Sequence, residues 1–503
     1  MSPHERFARR ALVMVVIVAL GGCAVGPKYV RPPVVAPEAY KELDGWKVAE
    51  PGDVTLRAAW WETFSDPTLN ELEGRVSAAN QTLAAAAATY RQATALVREA
   101  RAGFFPTVTI GAGYTRSQVS STLTSSGSNS NATAAALTGG VANTTGRPTN
   151  FFQLPIDVSW TPDFWGRVRR TVESNQAAAQ ASAGDLETAR LSLQAELAQD
   201  YFMMRTLDAQ RKLLDETVTA FEQSLELTRS RFRGGVASQV DVVQAETQLE
   251  TTRAQAIDVG VQRAQFEHAI ALLTGQPGST FALAAAPLTT APPSVPIGVP
   301  SQLLERRPDI AAAERRMAAA NAQIGVALAA FYPTVTLSGS AGFESSSITQ
   351  WLTWPSRFFA VGPAITQTVI DGGLRRAQTD QARAAYDNSV ANYRETVLTA
   401  FQGVEDNLAA LRILEGEADV QDRAVRAAQR SVQLTTTQYR AGIISYLNVI
   451  TTQTIALTNE VTAAQILGRR MTATILLIQA LGGGWNAAEL PSAEAVTQRR
   501  TSR

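Results

Sequence analysis

The chain has 503 residues, with 45 Lys+Arg against 45 Asp+Glu, two His and one Cys. An even charge balance argues against a nucleic-acid partner, which needs a basic surface to meet phosphates. A single Cys excludes an intramolecular disulfide framework and a Cys-rich zinc site, and two His leave little for an imidazole metal cluster.

Residues 1–10 are basic, and Ala11–Leu20 is an unbroken apolar run of ten. Such a run is too short to span a bilayer and fits the h-region of a secretory signal. Leu20-Gly21-Gly22-Cys23 follows and resembles the bacterial lipobox, so residues 1–22 read as a lipoprotein signal and Cys23 as the lipidation site. The plainer alternative is an ordinary signal with an incidental Cys, but the chain's one Cys falls where a lipobox needs it. Ala24, in place of an Asp that retains lipoproteins at the inner membrane, points to the outer membrane. No other stretch reaches the roughly 18 apolar residues of a transmembrane helix, so any further crossing needs a closed barrel.

The rest of the chain is written twice. Phe104-Phe105-Pro106-Thr107-Val108-Thr109 recurs 227 residues later as Phe331-Tyr332-Pro333-Thr334-Val335-Thr336. Arg233-Gly234-Gly235-Val236 recurs at a shift of 207 as Arg440-Ala441-Gly442-Ile443, and the same shift pairs Gly166 with Gly373 and Gly275 with Gly482. The 20 extra residues fall in Ser117–Asn150, a Ser/Thr/Asn/Gly-rich loop, against a shorter one near Glu344–Arg357. The expected layout is a lipidated extended segment over 23–65, a first repeat over 66–285, a Pro-rich linker over 286–300, a second repeat over 301–484 and a polar tail over 485–503.

Each repeat carries two alternating segments, expected as strands 104–116 and 151–162 in the first and 331–343 and 358–370 in the second. Val108, Ile110 and Tyr114 alternate with small or polar residues, as do Phe152, Leu154, Ile156, Val158 and Trp160, then Val335, Leu337 and Phe343, then Phe359, Val361 and Ile365. Runs of about ten residues with one apolar face are the mark of a transmembrane β-strand. A soluble sandwich shows the same alternation; the lipid anchor favours the membrane. Trp160, Trp165, Trp351 and Trp354 sit near strand ends, where interfacial aromatics belong. Four strands cannot close a barrel: a dimer would supply eight and a trimer twelve, and periodicity does not choose.

Between the strands the chain is helical, with helices expected over 166–233, 238–275, 373–440 and 445–481. Val242, Ala245, Leu249, Thr252, Ala256, Val259, Phe266, Ile270 and Leu273 keep a spacing of three and four, as do Tyr393, Val397, Phe401, Val404, Leu408, Leu411 and Leu414. Spacing sustained this long predicts coiled-coil packing. Gly234-Gly235 and Gly442 break the long helices into hairpins.

Several motifs together resemble the outer-membrane factor (TolC/OprM-like) family, in particular its NodT-type lipoprotein branch, found in tripartite pumps of the resistance-nodulation-division type. They are Cys23-Ala-Val-Gly26-Pro27-Lys-Tyr29, Trp60-Trp61-Glu-Thr-Phe64-Ser-Asp66-Pro67, Asp163-Phe-Trp165-Gly166-Arg167, Asp371-Gly372-Gly373 and Leu304-Glu-Arg306-Arg307-Pro308-Asp309-Ile310. The resemblance implies a membrane α+β fold: a homotrimer whose twelve-stranded barrel, four strands per chain, continues into a periplasmic α-helical barrel. It implies passive export of small molecules, drugs among them, handed on by an inner-membrane pump and a periplasmic membrane-fusion adaptor. It implies no enzymatic activity and no cofactor beyond the diacylglycerol and palmitate on Cys23. The location implied is the cell outer membrane, anchored in its lipid and extending into the periplasm.

The resemblance also supplies candidate sites. Gly235, Val236, Ser238, Gly442, Ile443 and Ser445 correspond to the tips that meet the adaptor, although a helix-breaking turn accounts for the same residues. Asp241, Tyr439, Arg440, Asn448 and Thr451 fall near the periplasmic gate. Asp241 is a candidate for a ring of carboxylates at the pore mouth, with Asn448 in its place in the second repeat. A type I secretion conduit and a non-channel, lipid-anchored coiled-coil protein are the competing functions.

Overall fold

The computed structural model describes residues 24–33, 37, 39–42, 59–118, 148–293, 295 and 303–498. The expected signal 1–22 and lipidation site Cys23 lie outside these residues, as do 119–147 of the polar loop, 296–300 of the linker and 499–503 of the tail.

After a helical turn at Trp60–Phe64, α1 (Pro67–Ala79) and α2 (Gln81–Ala102) lead to β1 (Thr107–Ile110), β2 (Gly113–Ser117) and β3 (Thr149–Trp160). Then come α3 (Arg167–Arg233) and α4 (Gln239–Leu273). The second half holds α5 (Pro308–Ala329), β4 (Thr334–Ser345), β5 (Arg357–Thr366), α6 (Leu374–Arg440) and α7 (Tyr446–Ala480). The start of α1 is written in its sequence: Asp66 accepts from the amides of Thr68 and Leu69, and Pro67, which has no amide to leave unbonded, takes the first helical position.

The internal repeat is visible in the helices. α3 and α6 each have 67 residues and begin at Arg167 and Leu374; α4 and α7 each have 35 and begin at Gln239 and Tyr446. Both pairs keep the shift read from the glycines. The helix ends repeat as well. Gly235, at φ 74°, and Gly442, at φ 79°, close α3 and α6 in the left-handed conformation that only Gly adopts freely. The amides of Val236 and Ile443 return to the carbonyls of Arg231 and Gln438, and those of Gly235 and Gly442 to Phe232 and Tyr439. This is the same Schellman ending twice.

The chain divides into two compact units. The unit formed by residues up to 30, 94–176 and 318–387 contains the sheet. Its order is β1-β3-β4-β5, with β2 also on β3, and every pairing is antiparallel.

The strands depart from expectation at defined places. Phe104 and Phe105 belong to the turn that ends α2, with amides bonded to Arg101 and Ala102. What was expected as one strand over 104–116 is two, β1 and β2, held in one register and interrupted at Gly111-Ala112. The cause is Pro155 on β3. It accepts from the Gly111 amide at 3.0 Å and has no N–H to return. β5 stops at Thr366 and not at 370, because its partner β4 begins at Thr334, directly opposite, after Pro333.

The second unit, residues 31–93, 177–317 and 388–498 of those described, is helical. Its core follows the heptad positions: Leu249, Ala256 and Ile270 on α4 are buried, with Tyr393, Val397, Val404 and Leu408 on α6 and Ile475 and Ile478 on α7. The Arg307-Pro308-Asp309 motif has a structural task in this unit. Arg307 pairs with Asp309 at 2.6 Å and donates to the Ala480 carbonyl at 2.7 Å, neutralising the negative end of α7. No helix among the described residues is long and apolar enough to cross a membrane.

Candidate functional site: the sheet faces and the helical tips

Residues directly opposite in an antiparallel ladder share a face. One face of the sheet reads Ile110, Ile156, Ala341 and Phe359 across the strands, and next to that row Val108, Val158, Gly339 and Val361. The other face reads Thr109, Asp157, Ser340 and Ala360, then Thr107, Ser159, Ser338 and Gly362. The apolar rows are bare: Phe359 and Val361 are each 83% exposed. A contiguous apolar surface of this kind marks contact with lipid or another chain. β3 and β4 have 12 residues each. At about 3.3 Å per residue and a tilt near 45°, that length covers roughly the hydrocarbon thickness of a bilayer.

Aromatic residues mark both ends of the strands. At the helix end, Trp165 stacks on Tyr332 with centroids 4.8 Å apart and donates to the Pro333 carbonyl, while Trp160 donates to the Phe104 carbonyl. At the hairpin end, Tyr114, Phe152 and Trp351 form a ladder with centroid spacings of 4.8 and 5.7 Å, and Trp354 lies beneath the Arg357 guanidinium. These are the places where amphipathic rings meet an interface.

The two tip hairpins lie in the helical unit. Gly235, Val236, Gly442 and Ile443 form the exposed turns. Ser238 and Ser445 are the N-cap residues of α4 and α7. Asp241 completes a capping box with Ser238: its carboxylate accepts from the Ser238 amide and hydroxyl at 2.9 Å each, and its own amide donates to the Ser238 hydroxyl oxygen at 3.2 Å. In the second hairpin Asn448 donates to the Ser445 hydroxyl at 3.2 Å and the reciprocal box is absent. Thr451 turns its hydroxyl to the Leu447 carbonyl within α7.

Tyr439 is the hub of the tips. It is 5% exposed, whereas Phe232, its repeat counterpart, is 44% exposed. Its hydroxyl meets the Thr228 hydroxyl at 3.2 Å, and its ring lies 4.6 Å from the Arg231 guanidinium carbon and 5.3 Å from the Tyr446 ring. Arg231 also donates to the Tyr439 carbonyl. Phe221 and Leu225 of α3, Leu249 of α4 and Val449 of α7 close the apolar cluster around it. Burial pushes the Tyr446 hydroxyl up to about 12, so it stays neutral and hydrogen-bonding. Arg440, expected beside Tyr439 in the gate, is exposed and outside this cluster. The sequence reading missed Thr228 as a partner of Tyr439. Thr228 stands one helical turn before Arg231, and nothing in the local sequence marks it as buried or as the partner of Tyr439.

Comparison with known proteins follows the same lines. The family model described as "Outer membrane efflux protein" matches residues 74–276 and 299–483. The probable efflux pump outer membrane protein TtgC of Pseudomonas putida is 31% identical over 477 residues, covering 93% of each chain. Nodulation protein T of Rhizobium leguminosarum bv. trifolii is 29% identical, over 93% of this chain and 96% of its own. Among solved structures, the outer-membrane channel OprN is 29% identical with a TM-score of 0.82, covering 92% of this chain and all of its own. With 31% identity to a full-length relative and a family match over both repeats, the chain belongs to the outer membrane efflux protein family.

Proposed function

We propose that three copies of this chain form an outer-membrane channel that passively exports small molecules, drugs or other toxic compounds, received from a periplasmic adaptor and an inner-membrane pump. The observation that carries this reading is the sheet: one continuous apolar face, one polar face, and outer edges on β1, β2 and β5 with no strand partner among the described residues of the chain. Lipid cannot satisfy such edges, so neighbouring copies must pair them, and three copies close twelve strands with the polar rows lining the lumen.

The helices support the same assembly. Besides its buried seam, α4 exposes Val240, Val243, Ile257 and Val261, and α6 exposes Ile413, Val420 and Leu434, spaced by one heptad and then two. These second heptad stripes suit lateral packing between copies in an α-helical barrel. Cys23 carries the lipid anchor, Gly235, Val236, Ser238, Gly442, Ile443 and Ser445 receive the adaptor, and the Tyr439 cluster with Asp241, Arg440, Asn448 and Thr451 forms the periplasmic gate. The protein catalyses no reaction.

Single-channel recording of the purified protein in planar bilayers tests the proposal. Discrete pores are expected, together with intermolecular disulfide formation at one register in a scan of paired cysteines along β1 and β5, the two sheet edges. A folded oligomer that forms no pores sinks the channel reading and leaves the lipid-anchored coiled-coil alternative.

A further inference from the structure

Two charged side chains interrupt the apolar face of the sheet, and both sit at its hairpin end. Arg116 pairs in register with Asn150, on the face that carries Tyr114 and Phe152. Arg357 pairs with Phe343, on the face of Phe359 and Val361. Neither arginine meets a carboxylate among the described residues. The acid at this end, Glu344, shares the row of Gln153 on the polar face. Both guanidinium groups are therefore exposed cations on an otherwise apolar surface.

Arg357 is also held in place. Its guanidinium carbon lies 4.1 Å from the centroid of Trp354, whose indole is 72% exposed. Stacking on a ring immobilises the planar group while leaving its edge N–H donors free, the arrangement that suits a bidentate oxyanion partner. An arginine on a lipid-facing strand is strongly disfavoured at the bilayer midplane and nearly neutral at the interface, so such residues belong at headgroup depth. The opposite ends of the same strands join α2, α3, α5 and α6. The hairpin end is thus the one directed away from the helices of its own unit.

We propose that Arg116 and Arg357, with Trp354, bind the phosphate groups of phosphorylated lipid in the outer leaflet. This rests on the channel reading, in which the sheet faces lipid and the hairpins face the exterior. That reading also adds to the charge: β5 of one copy borders β1 and β2 of the next, bringing the two arginine-bearing edges together. The occupant is a lipid headgroup, because the arginines flank the apolar rows that acyl chains cover.

Titration of the purified full-length protein in detergent with bisphosphorylated lipid A, and separately with the same lipid stripped of phosphate, tests the site. Wild type should prefer the phosphorylated lipid, and R116Q/R357Q should lose about fivefold in affinity per arginine removed. The phosphate preference should vanish in the double variant. R116K/R357K, which keeps the charge without the planar fork, should recover part of the loss. Equal binding of both lipids by wild type overturns the proposal, as does full phosphate preference in the double glutamine variant. Bilayer recording on the same samples separates the two readings: pores without phosphate preference sink only the lipid site, whereas absence of pores in wild type sinks the channel reading beneath it.

Discussion

Gly26 crosses Gly325 so closely that a Cβ on Gly26 would lie 2.5 Å from the Gly325 Cα. Arg170 holds the crossing, donating to the carbonyls of Val25 and Gly26 at 3.1 Å each, and Asn321 donates to the Pro27 carbonyl at 3.1 Å. The residues just after Cys23 are therefore seated on α3 and α5 by backbone contacts that leave no room for a side chain. A Cβ on Gly325 would lie 2.9 Å from the Val25 carbonyl oxygen. Gly325→Ala should lift residues 24–27 off α5 and cost about 1–3 kcal/mol, as other overpacked contacts do. Limited trypsin digestion reads the effect at exposed Lys28. Cleavage there should accelerate in the variant, and unchanged cleavage would refute the clamp.

At the tips, Thr228 and Arg231 reach Tyr439 by different bonds, and their variants should separate. Tyr439→Phe removes only the hydroxyl contact with Thr228, about 0.5–1.5 kcal/mol. Arg231→Ala removes the stacked guanidinium and its bond to the Tyr439 carbonyl together, and should open the gate further. Mean single-channel conductance is expected to rise in the order wild type, R440A, Y439F, R231A, because Arg440 is exposed and lies outside the cluster that packs around Tyr439. Identical conductance in all four would place the closing contact elsewhere.

The long helices and the alternating strands could be read from sequence because each rests on a local period, 3.6 or 2, that a single segment displays. The Gly235 and Gly442 turns were equally visible, since only one residue type adopts their φ without strain. The Tyr439 cluster was not. Thr228 and Arg231 lie more than 200 residues before Tyr439 and meet it only once two hairpins pack. Glu73 is an intermediate case. In Leu69-Asn70-Glu71-Leu72-Glu73 it looks like a surface acid, yet Leu69, Glu73 and Val76 fall at i, i+4 and i+7, the spacing of one buried helical face.

Glu73 is fully buried, and neither carboxylate oxygen has a hydrogen-bond partner. Burial pushes its carboxyl up from 4.5 to about 9, so the folded chain holds it protonated at neutral pH. Between those two values the folded state binds a proton that the unfolded chain has released, and stability falls as pH rises, by up to about 1.4 kcal/mol per pH unit. Glu73→Gln has no proton to lose and should remove this slope. Thermal melting at pH 5 and pH 8.5 is expected to show a larger drop for wild type than for E73Q. Parallel melting of the two proteins would mean that burial does not raise the Glu73 carboxyl in the folded chain.

Pro155 and Gly342 face each other across β3 and β4, and the pairing depends on the second having no side chain. A Cβ on Gly342 would meet the Leu154 carbonyl oxygen at 2.0 Å and the Pro155 Cα at 3.0 Å. No rotamer relieves a clash with backbone, so Gly342→Ala must push β4 away from β3. The displacement would fall between the rows Leu154–Phe343 and Ile156–Ala341, in the middle of the apolar face. Gly339 is the control on the same strand, where a Cβ would find only the Val361 side chain at 3.6 Å and the Ala360 carbonyl at 3.9 Å, ordinary contact distances. G342A should lose the oligomer and its pores, while G339A keeps both and gains slightly from reduced freedom of the unfolded chain. The oligomer band on semi-native gels and the frequency of pore insertion measure the two outcomes. If G342A assembles as readily as G339A, the sheet tolerates a separation of β3 from β4, and the close pairing at Pro155 is not what fixes the register between these strands.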